Sequence, residues 1–287
     1  MPVAAVLGWP LARTLSPPLH NAAYAAAGLT GWSYEARPTP PEGLAAALAE
    51  VRAGRLAGVN LTTPHKQAAV PLLDDLLPPA AETGAVNTVV PRRGGLTGAN
   101  TDVPGGLWAL QAQLGLGGPD WDGSGTAVLL GTGGVALAMA LAWRRLGASR
   151  AAAGLPTAPL AVAGRDPART AAVAALAALA GGTALGYETA ADHVAGAGVV
   201  IQATTLTALG QPVPGQDRLA AGVRVLDCNY GDTAQGLVDA ARAAGAAAAA
   251  DGVGMLLAQA AEAIVLMAGF EPDRAAMAAA VGLPWPG

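Results

Sequence analysis

The chain is poor in lysine, in cysteine and in charge of either sign. Cys228 is the one cysteine among 287 residues, which excludes an intrachain disulfide, and no group of cysteines and histidines has metal-ligand spacing, so no metal centre is expected. Charged residues make up 13% of the chain and the net charge is −4. Without basic runs or basic-aromatic stripes, that balance argues against nucleic acid or an anionic membrane surface as partner. No apolar run reaches the length of about 18 residues that a membrane span needs. The start Met1-Pro2-Val3 also lacks the basic region of a signal peptide, and a soluble, cytoplasmic protein is expected. Much of the 53% hydrophobic content is alanine, as in Ala246-Ala247-Ala248-Ala249-Ala250, a composition that signals helix propensity more than membrane affinity.

What is present is organised in repeating units. Short valine- and leucine-rich runs alternate with alanine-rich helical stretches, the pattern of an α/β protein with mainly parallel sheets. The strand Val3 to Leu7 leads to a helix with Ser16 as expected cap and Pro17 at its first position. The run Val59 to Leu61 precedes a helix opened by Pro64, Ala85 to Val90 reads as another strand, and Val103 to Leu114 as a connecting helix. The turn-rich segment Gly115 to Gly123 marks a junction. Two open α/β domains are expected: residues 1–108, completed by C-terminal helices over 250–287, and a Rossmann-type dinucleotide domain over 109–249.

The second domain opens with the strand Thr126 to Leu130, then Gly131-Thr132-Gly133-Gly134-Val135-Ala136, then a helical run to Leu146. This fits G-x-G-x-x-G/A with Ala136 in the last place. Its glycines permit a tight turn and close approach of a pyrophosphate to free N–H groups at the helix start. Strands at Leu160 to Ala163, Val199 to Ala203 and Val223 to Asp227 continue the sheet. A loop insertion is expected over Ala151 to Ala158, and helices from Met255 to Ala268 and again from Pro272. At the end of the second strand, Arg165 has the donors to fork onto a 2′-phosphate with Arg169 one turn on, which favours NADP. Asp166 argues for NAD, or is simply the acidic cap of a helix flanked by solvated arginines.

Lys66 is the one lysine; the other fifteen basic residues are arginine. An arginine stays protonated at any tolerable pH, whereas an ammonium is tunable, so lysine in an arginine-using chain is a candidate acid/base. Four of the five asparagines, Asn21, Asn60, Asn87 and Asn100, fall at strand ends or on the first helix. The crevice at such strand ends suits a polyhydroxylated ligand, although a single asparagine is more often a turn residue.

Read together, Gly8-Trp9-Pro10 through Thr14-Leu15-Ser16-Pro17 to His20-Asn21, Asn60-Leu61-Thr62-Thr63-Pro64-His65-Lys66, Ala85-Val86-Asn87-Thr88, Asn100-Thr101-Asp102, Gly131 to Gly134, and Gly252-Val253-Gly254-Met255-Leu256 with Gln259 resemble the shikimate dehydrogenase family. They span nearly the whole chain in the family's order. The resemblance implies reversible reduction of 3-dehydroshikimate to shikimate with NADPH, on the chorismate route to aromatic amino acids, by a monomer or homodimer. It implies Lys66 and Asp102 as the catalytic pair, Thr14 and Ser16 on the substrate carboxylate, and Asn87 and Asp102 on the ring hydroxyls with help from Lys66 and Gln259. Asn60, Thr62, Asn100 and Tyr230 are the further expected substrate-side residues. Gly131, Gly133, Gly134, Ala136, Arg165, Arg169, Thr204 and Gly252 are those expected around the cofactor. The first turn of a helix disfavours a second positive charge at Lys66, and Asp102 opposes that effect.

Three departures from the family pattern bear on this. Thr14 replaces the usual serine and leaves shikimate and quinate both open. Gly164-Arg165-Asp166 stands where Asn-Arg-Thr is usual, keeping NAD possible. Gln202-Ala203-Thr204-Thr205-Leu206-Thr207-Ala208 has lost the proline and glycine of Asn-Ala-Thr-Pro-x-Gly-Met. The alternatives are a quinate or quinate/shikimate dehydrogenase preferring NAD, and a non-catalytic ligand-binding paralogue.

Overall fold

A computed structural model describes residues 1–11, 14–177, 182–232, 234–283 and 285; Pro284, Pro286 and Gly287, within the C-terminal stretch read from sequence, lie outside the described residues, as do residues 178–181 and 233 of the central stretch. The chain divides into two compact units, Met1–Asp102 with Leu257–Trp285, and Val103–Leu256.

The first unit begins β1 (Val3–Gly8), α1 (Ser16–Ala26), β2 (Ser33–Pro38), α2 (Leu44–Arg52), β3 (Gly58–Leu61) and α3 (His65–Ala68). It continues through β4 (Asp75–Leu76), α4 (Pro78–Thr83), β5 (Thr88–Arg92) and β6 (Gly95–Ala99). The sheet runs β2-β1-β3-β5-β6-β4. The pairs β1/β2, β1/β3 and β4/β6 are parallel, and β5 is antiparallel to both neighbours. Arg93 and Gly94 both have positive φ at the β5–β6 turn, the backbone of a two-residue hairpin whose twist matches its strands. All four residues of β3 are buried, as a central strand covered on both faces requires. Leu7, Leu48, Val51, Val59, Leu61 and Val89 are among the residues of its core.

The second unit takes most of α5 (Asp102–Trp108), which runs into a π-helical turn at Ala109–Gln113, and continues β7 (Ala127–Leu130), α6 (Gly134–Ala152), β8 (Leu160–Gly164), α7 (Pro167–Leu176) and β9 (Thr183–Gly186). Then follow α8 (Ala190–Ala195), β10 (Val199–Gln202), β11 (Arg224–Asp227), α9 (Gln235–Ala243) and β12 (Ala248–Ala250). The helix α10 (Val253–Ala268) leads back to the first unit, which α11 (Arg274–Ala279) completes against α1. The sheet order is β12-β11-β10-β7-β8-β9 with every pairing parallel. Order reverses between β7 and β10, the topological switch point of a doubly wound sheet, where ligands bind beyond the strand ends.

Several local expectations change. Ala248–Ala250 is a strand, paired with Arg224–Leu226. Alanine's helix preference of a few tenths of a kcal/mol per residue yields to ladder hydrogen bonds on an open sheet edge. The strand read at Ala85 begins at Thr88 instead, because Val86 N–H donates to the Lys66 carbonyl and Asn87 N–H to the Ala99 carbonyl. Ser16 lies inside α1, whose cap is Leu15. Ala151 and Ala152 still belong to α6. Among the described residues, no helix is long and apolar enough to cross a membrane, and no group of three or more histidine, cysteine or acidic side chains is placed to hold a metal.

Candidate active site

The buried strand β3 delivers the chain to a sharp corner, Thr62-Thr63-Pro64, with a cis peptide before Pro64. Next comes α3, a single turn that carries Lys66. The Lys66 ammonium lies 2.6 Å from Oδ2 of Asp102, with side-chain exposures of 15% and 8%. Such an exposure keeps both charges near water while excluding enough of it to strengthen their attraction. With α3 only one turn long, few peptide dipoles align there, so Asp102 dominates the electrostatics of Lys66 rather than sharing it with a helix dipole.

Asp102 is itself held. Its Oδ1 accepts from the Asn87 side-chain amide at 2.9 Å, and its backbone N–H donates to Asn100 Oδ1 at 3.1 Å. Asn87 Oδ1 accepts from Thr101 N–H at 2.7 Å. From α10, Gln259 Oε1 lies 3.3 Å from Asn87 Nδ2 and 3.2 Å from the Thr101 hydroxyl. Lys66, Asn87, Asp102 and Gln259 are thus brought together from α3, the β5 approach, α5 and α10.

The other expected substrate-side residues divide by environment. Thr14 Oγ1 donates to Ser16 Oγ and accepts from Ser16 N–H, both at 3.2 Å, so two hydroxyls share one spot at the start of α1. Asn60 and Asn100 are buried and turned inward. Asn60 accepts from the Tyr34 hydroxyl at 2.6 Å and donates to the Asn87 carbonyl and the Thr88 hydroxyl. Asn100 donates to Thr83 Oγ1 and the Ala85 carbonyl. Both hold the frame on which Asn87 and Asp102 sit. Asn21 pairs with the backbone N–H and carbonyl of Tyr34. Thr62 turns its methyl against Gly8.

In the second unit, Gly131 has φ +118°, and a Cβ there would meet the Ala203 carbonyl oxygen at 2.9 Å. Gly133 is the extended N-cap of α6 with open space on its Cβ side, and Gly134 begins the helix. Ala136 is fully buried. This is an open cradle of free N–H groups at the N-terminus of a 19-residue helix, fit for a pyrophosphate. Asp166 caps α7, accepting from Arg169 N–H at 3.1 Å and lying 3.8 Å from Arg169 Nε. That is its acidic-cap reading. Arg165 stays exposed.

The altered Gln202–Ala208 segment is cross-tied. Gln202 and Thr204 bond through their side chains at 2.8 and 3.1 Å. Asn229 Nδ2 lies 2.8 Å from the Thr204 carbonyl and 2.9 Å from the Thr207 hydroxyl, replacing by side-chain bonds the rigidity that proline would supply. Beside it, burial pushes the Asp227 carboxyl up from its ordinary value, against hydrogen bonds from Asn229 that lower it. Tyr230 is half-buried. The Gly252 N–H donates to the Asn229 carbonyl at 2.8 Å, and a side chain there would collide with the Cys228 carbonyl. Close backbone approach accounts for this glycine.

Comparison with known proteins gives the same picture. A profile described as the shikimate dehydrogenase substrate binding domain matches residues 6–89. The NADP(+) shikimate dehydrogenase of Geobacter sp. strain M21 is 36% identical over 290 residues, covering 99% of this chain and 97% of its own. The chain belongs to the shikimate dehydrogenase family. The Rhodospirillum rubrum enzyme of the same name is 39% identical, covering 98% of both chains. The crystal structure of the Thermus thermophilus shikimate 5-dehydrogenase with NADP(H) and shikimate superposes with a TM-score of 0.79 at 35% identity, over 98% of each chain. Tyr34, Thr88, Thr101 and Asn229 are the polar residues of this family member that sequence reasoning left without a role. Only Asn229, the fifth asparagine, stood apart as a signal.

Proposed function

We propose that this chain is an NADP-dependent shikimate dehydrogenase that reversibly reduces 3-dehydroshikimate, with the first unit as its substrate domain and the second as its cofactor domain. The observation that carries the reading is the Lys66–Asp102 pair at 2.6 Å inside the amide frame of Asn87 and Gln259. NADPH, when bound, supplies the hydride. Lys66 delivers a proton to the carbonyl oxygen as negative charge grows on it, and recovers it in the reverse direction. Asp102 fixes the ammonium and accepts from a ring hydroxyl, Asn87 and Gln259 read the neighbouring hydroxyls, and Thr14 with Ser16 holds the carboxylate. The N–H groups at Gly133 and Gly134 hold the pyrophosphate and Arg165 the 2′-phosphate, with Arg169 behind it. Thr204 lines the nicotinamide side, and Tyr230 contributes on the substrate side. The setting is cytoplasmic, and the working form a monomer or homodimer.

The test is absorbance at the reduced-nicotinamide band with shikimate and quinate each offered against NADP+ and NAD+. The expected result is the highest kcat/KM for shikimate with NADP+. Comparable turnover of quinate would favour the broader reading that the Thr14 methyl motivates, and binding without turnover in all four combinations would identify a non-catalytic paralogue.

A further inference from the structure

Behind Asp102 lies a buried line of hydrogen bonds that all run one way. The Tyr34 hydroxyl donates to Asn60 Oδ1 at 2.6 Å. Asn60 Nδ2 donates to Thr88 Oγ1 at 3.0 Å, and Thr88 Oγ1 donates to Asn87 Oδ1 at 3.1 Å. Asn87 Nδ2 donates to Asp102 Oδ1 at 2.9 Å, and Lys66 closes on the other carboxylate oxygen. Donors aligned in this sense polarise one another, and the line terminates on a negative charge. Its head is rigid, since the Tyr34 ring stacks on His20 with centroids 3.8 Å apart and Asn21 pins the Tyr34 backbone on both its N–H and its carbonyl.

From this geometry we infer that Tyr34 is a positioning residue for proton transfer, acting through Asn60, Thr88 and Asn87 on the orientation of Asp102 and hence of Lys66. Tyr34 supplies the donor to Asn60 Oδ1, while Asn60 Nδ2 is held by the Asn87 carbonyl as well as by Thr88. Without the Tyr34 hydroxyl, Asn60 Oδ1 is left without that donor, and the hold of Asn60 on Thr88, and through it on Asn87, weakens. The inference rests on the assignment of Lys66 and Asp102 to catalysis.

The test compares Tyr34→Phe, Thr88→Val, the double variant, and Tyr24→Phe as control, because the Tyr24 hydroxyl is buried without a hydrogen-bond partner among the described residues. Each chain variant should lose about three- to tenfold in kcat, the worth of one hydrogen bond, with KM for NADP+ unchanged. Tyr24→Phe should keep wild-type kcat. The double variant should be no slower than the slower single, because one broken link interrupts the whole line, whereas independent packing defects multiply. Unchanged kcat in Tyr34→Phe, or a double variant equal to the product of the singles, overturns the inference. If Tyr34→Phe does not fold, Thr88→Val decides it alone, a kcat loss supporting and wild-type kcat refuting it. A wild-type protein without shikimate turnover overturns the proposed function as well; full wild-type turnover with silent Tyr34 and Thr88 variants overturns the line alone.

Discussion

The methyl of Thr62 fills the space where Gly8 would carry a side chain. Gly8 ends β1 and Thr62 follows β3, so two parallel neighbours close on each other just before the corner that presents Lys66. Gly8→Ala has nowhere to put its methyl except by moving that corner, since the Thr63 carbonyl oxygen also lies 3.3 Å away. Overpacking of this kind costs about 1–3 kcal/mol. The expected outcome is a lowered melting temperature together with a reduced kcat/KM. Adding Thr62→Ser, which deletes the opposing methyl, should recover much of both, and thermal unfolding with steady-state kinetics on the single and double variants checks it.

On the proposed mechanism, turnover depends on Lys66. Lys66→Ala should fold, as judged by circular dichroism, and lose about 10²- to 10⁴-fold in kcat, the range general acid–base groups supply. Lys66→Arg should not restore it, because a guanidinium neither releases its proton nor fits the place of a compact ammonium. Near-normal turnover in either variant would remove Lys66 from the mechanism.

His20 makes stability depend on acid. It is fully buried, and neither ring nitrogen has a partner among the described residues. Burial holds its pKa down at about 3 against an ordinary 6.5, so the native state keeps the ring neutral while the unfolded chain takes up a proton. The stability contributed is complete above pH 6.5 and is lost as pH falls from there toward 3, with a slope of at most about 1.4 kcal/mol per pH unit. His20→Phe retains an aromatic ring against Tyr34 and removes the titration. Urea midpoints followed downward from neutral pH should fall more steeply in the wild type than in His20→Phe, and parallel curves would exclude the effect.

Arg150 shows what sequence reading passes over. It is 1% exposed, and its guanidinium donates to the carbonyls of Leu116, Gly118, Trp121 and Pro156 while stacking 4.5 Å over the Trp121 ring. The turn-rich segment at Gly115 to Gly123 is therefore tied to α6 rather than loose. Arg150→Lys retains the charge but not the planar fork, and should cost about 1–3 kcal/mol for each carbonyl left without its donor in a buried site. Calorimetry would register it as a large fall in melting temperature.

Much of the candidate site was legible because its chemistry is local in sequence. Lys66 stood out against fifteen arginines, and Asn87, Asp102 and the Gly131 to Gly134 cradle sit at strand ends that the βα rhythm locates. What was hidden depends on contacts between distant segments. Tyr34 is the one buried residue of β2, a strand that no apolar run announces, and its partner Asn60 is twenty-six residues on. The strand at Ala248–Ala250 is likewise set by an available sheet edge rather than by residue preference.

On the proposed reading, cofactor choice turns on Arg165, because Asp166 is engaged as the cap of α7. A carboxylate bonded to Arg169 N–H, with the Arg169 guanidinium beside it, presents less negative charge to a 2′-phosphate than the bare sequence implies, and Arg165 is exposed as Arg169 is. Arg165→Ala should lower kcat/KM for NADPH by about ten- to a hundredfold, the worth of charge-assisted hydrogen bonds to phosphate, while leaving NADH nearly untouched. Arg169→Ala should do less, because part of its charge is already engaged. Asp166→Ala should cost about 1 kcal/mol of stability through the lost cap and improve NADPH over NADH only slightly. A large gain for NADPH in Asp166→Ala would mean that the carboxylate opposes the phosphate after all, and kinetics with both cofactors on the three variants separates the two arrangements.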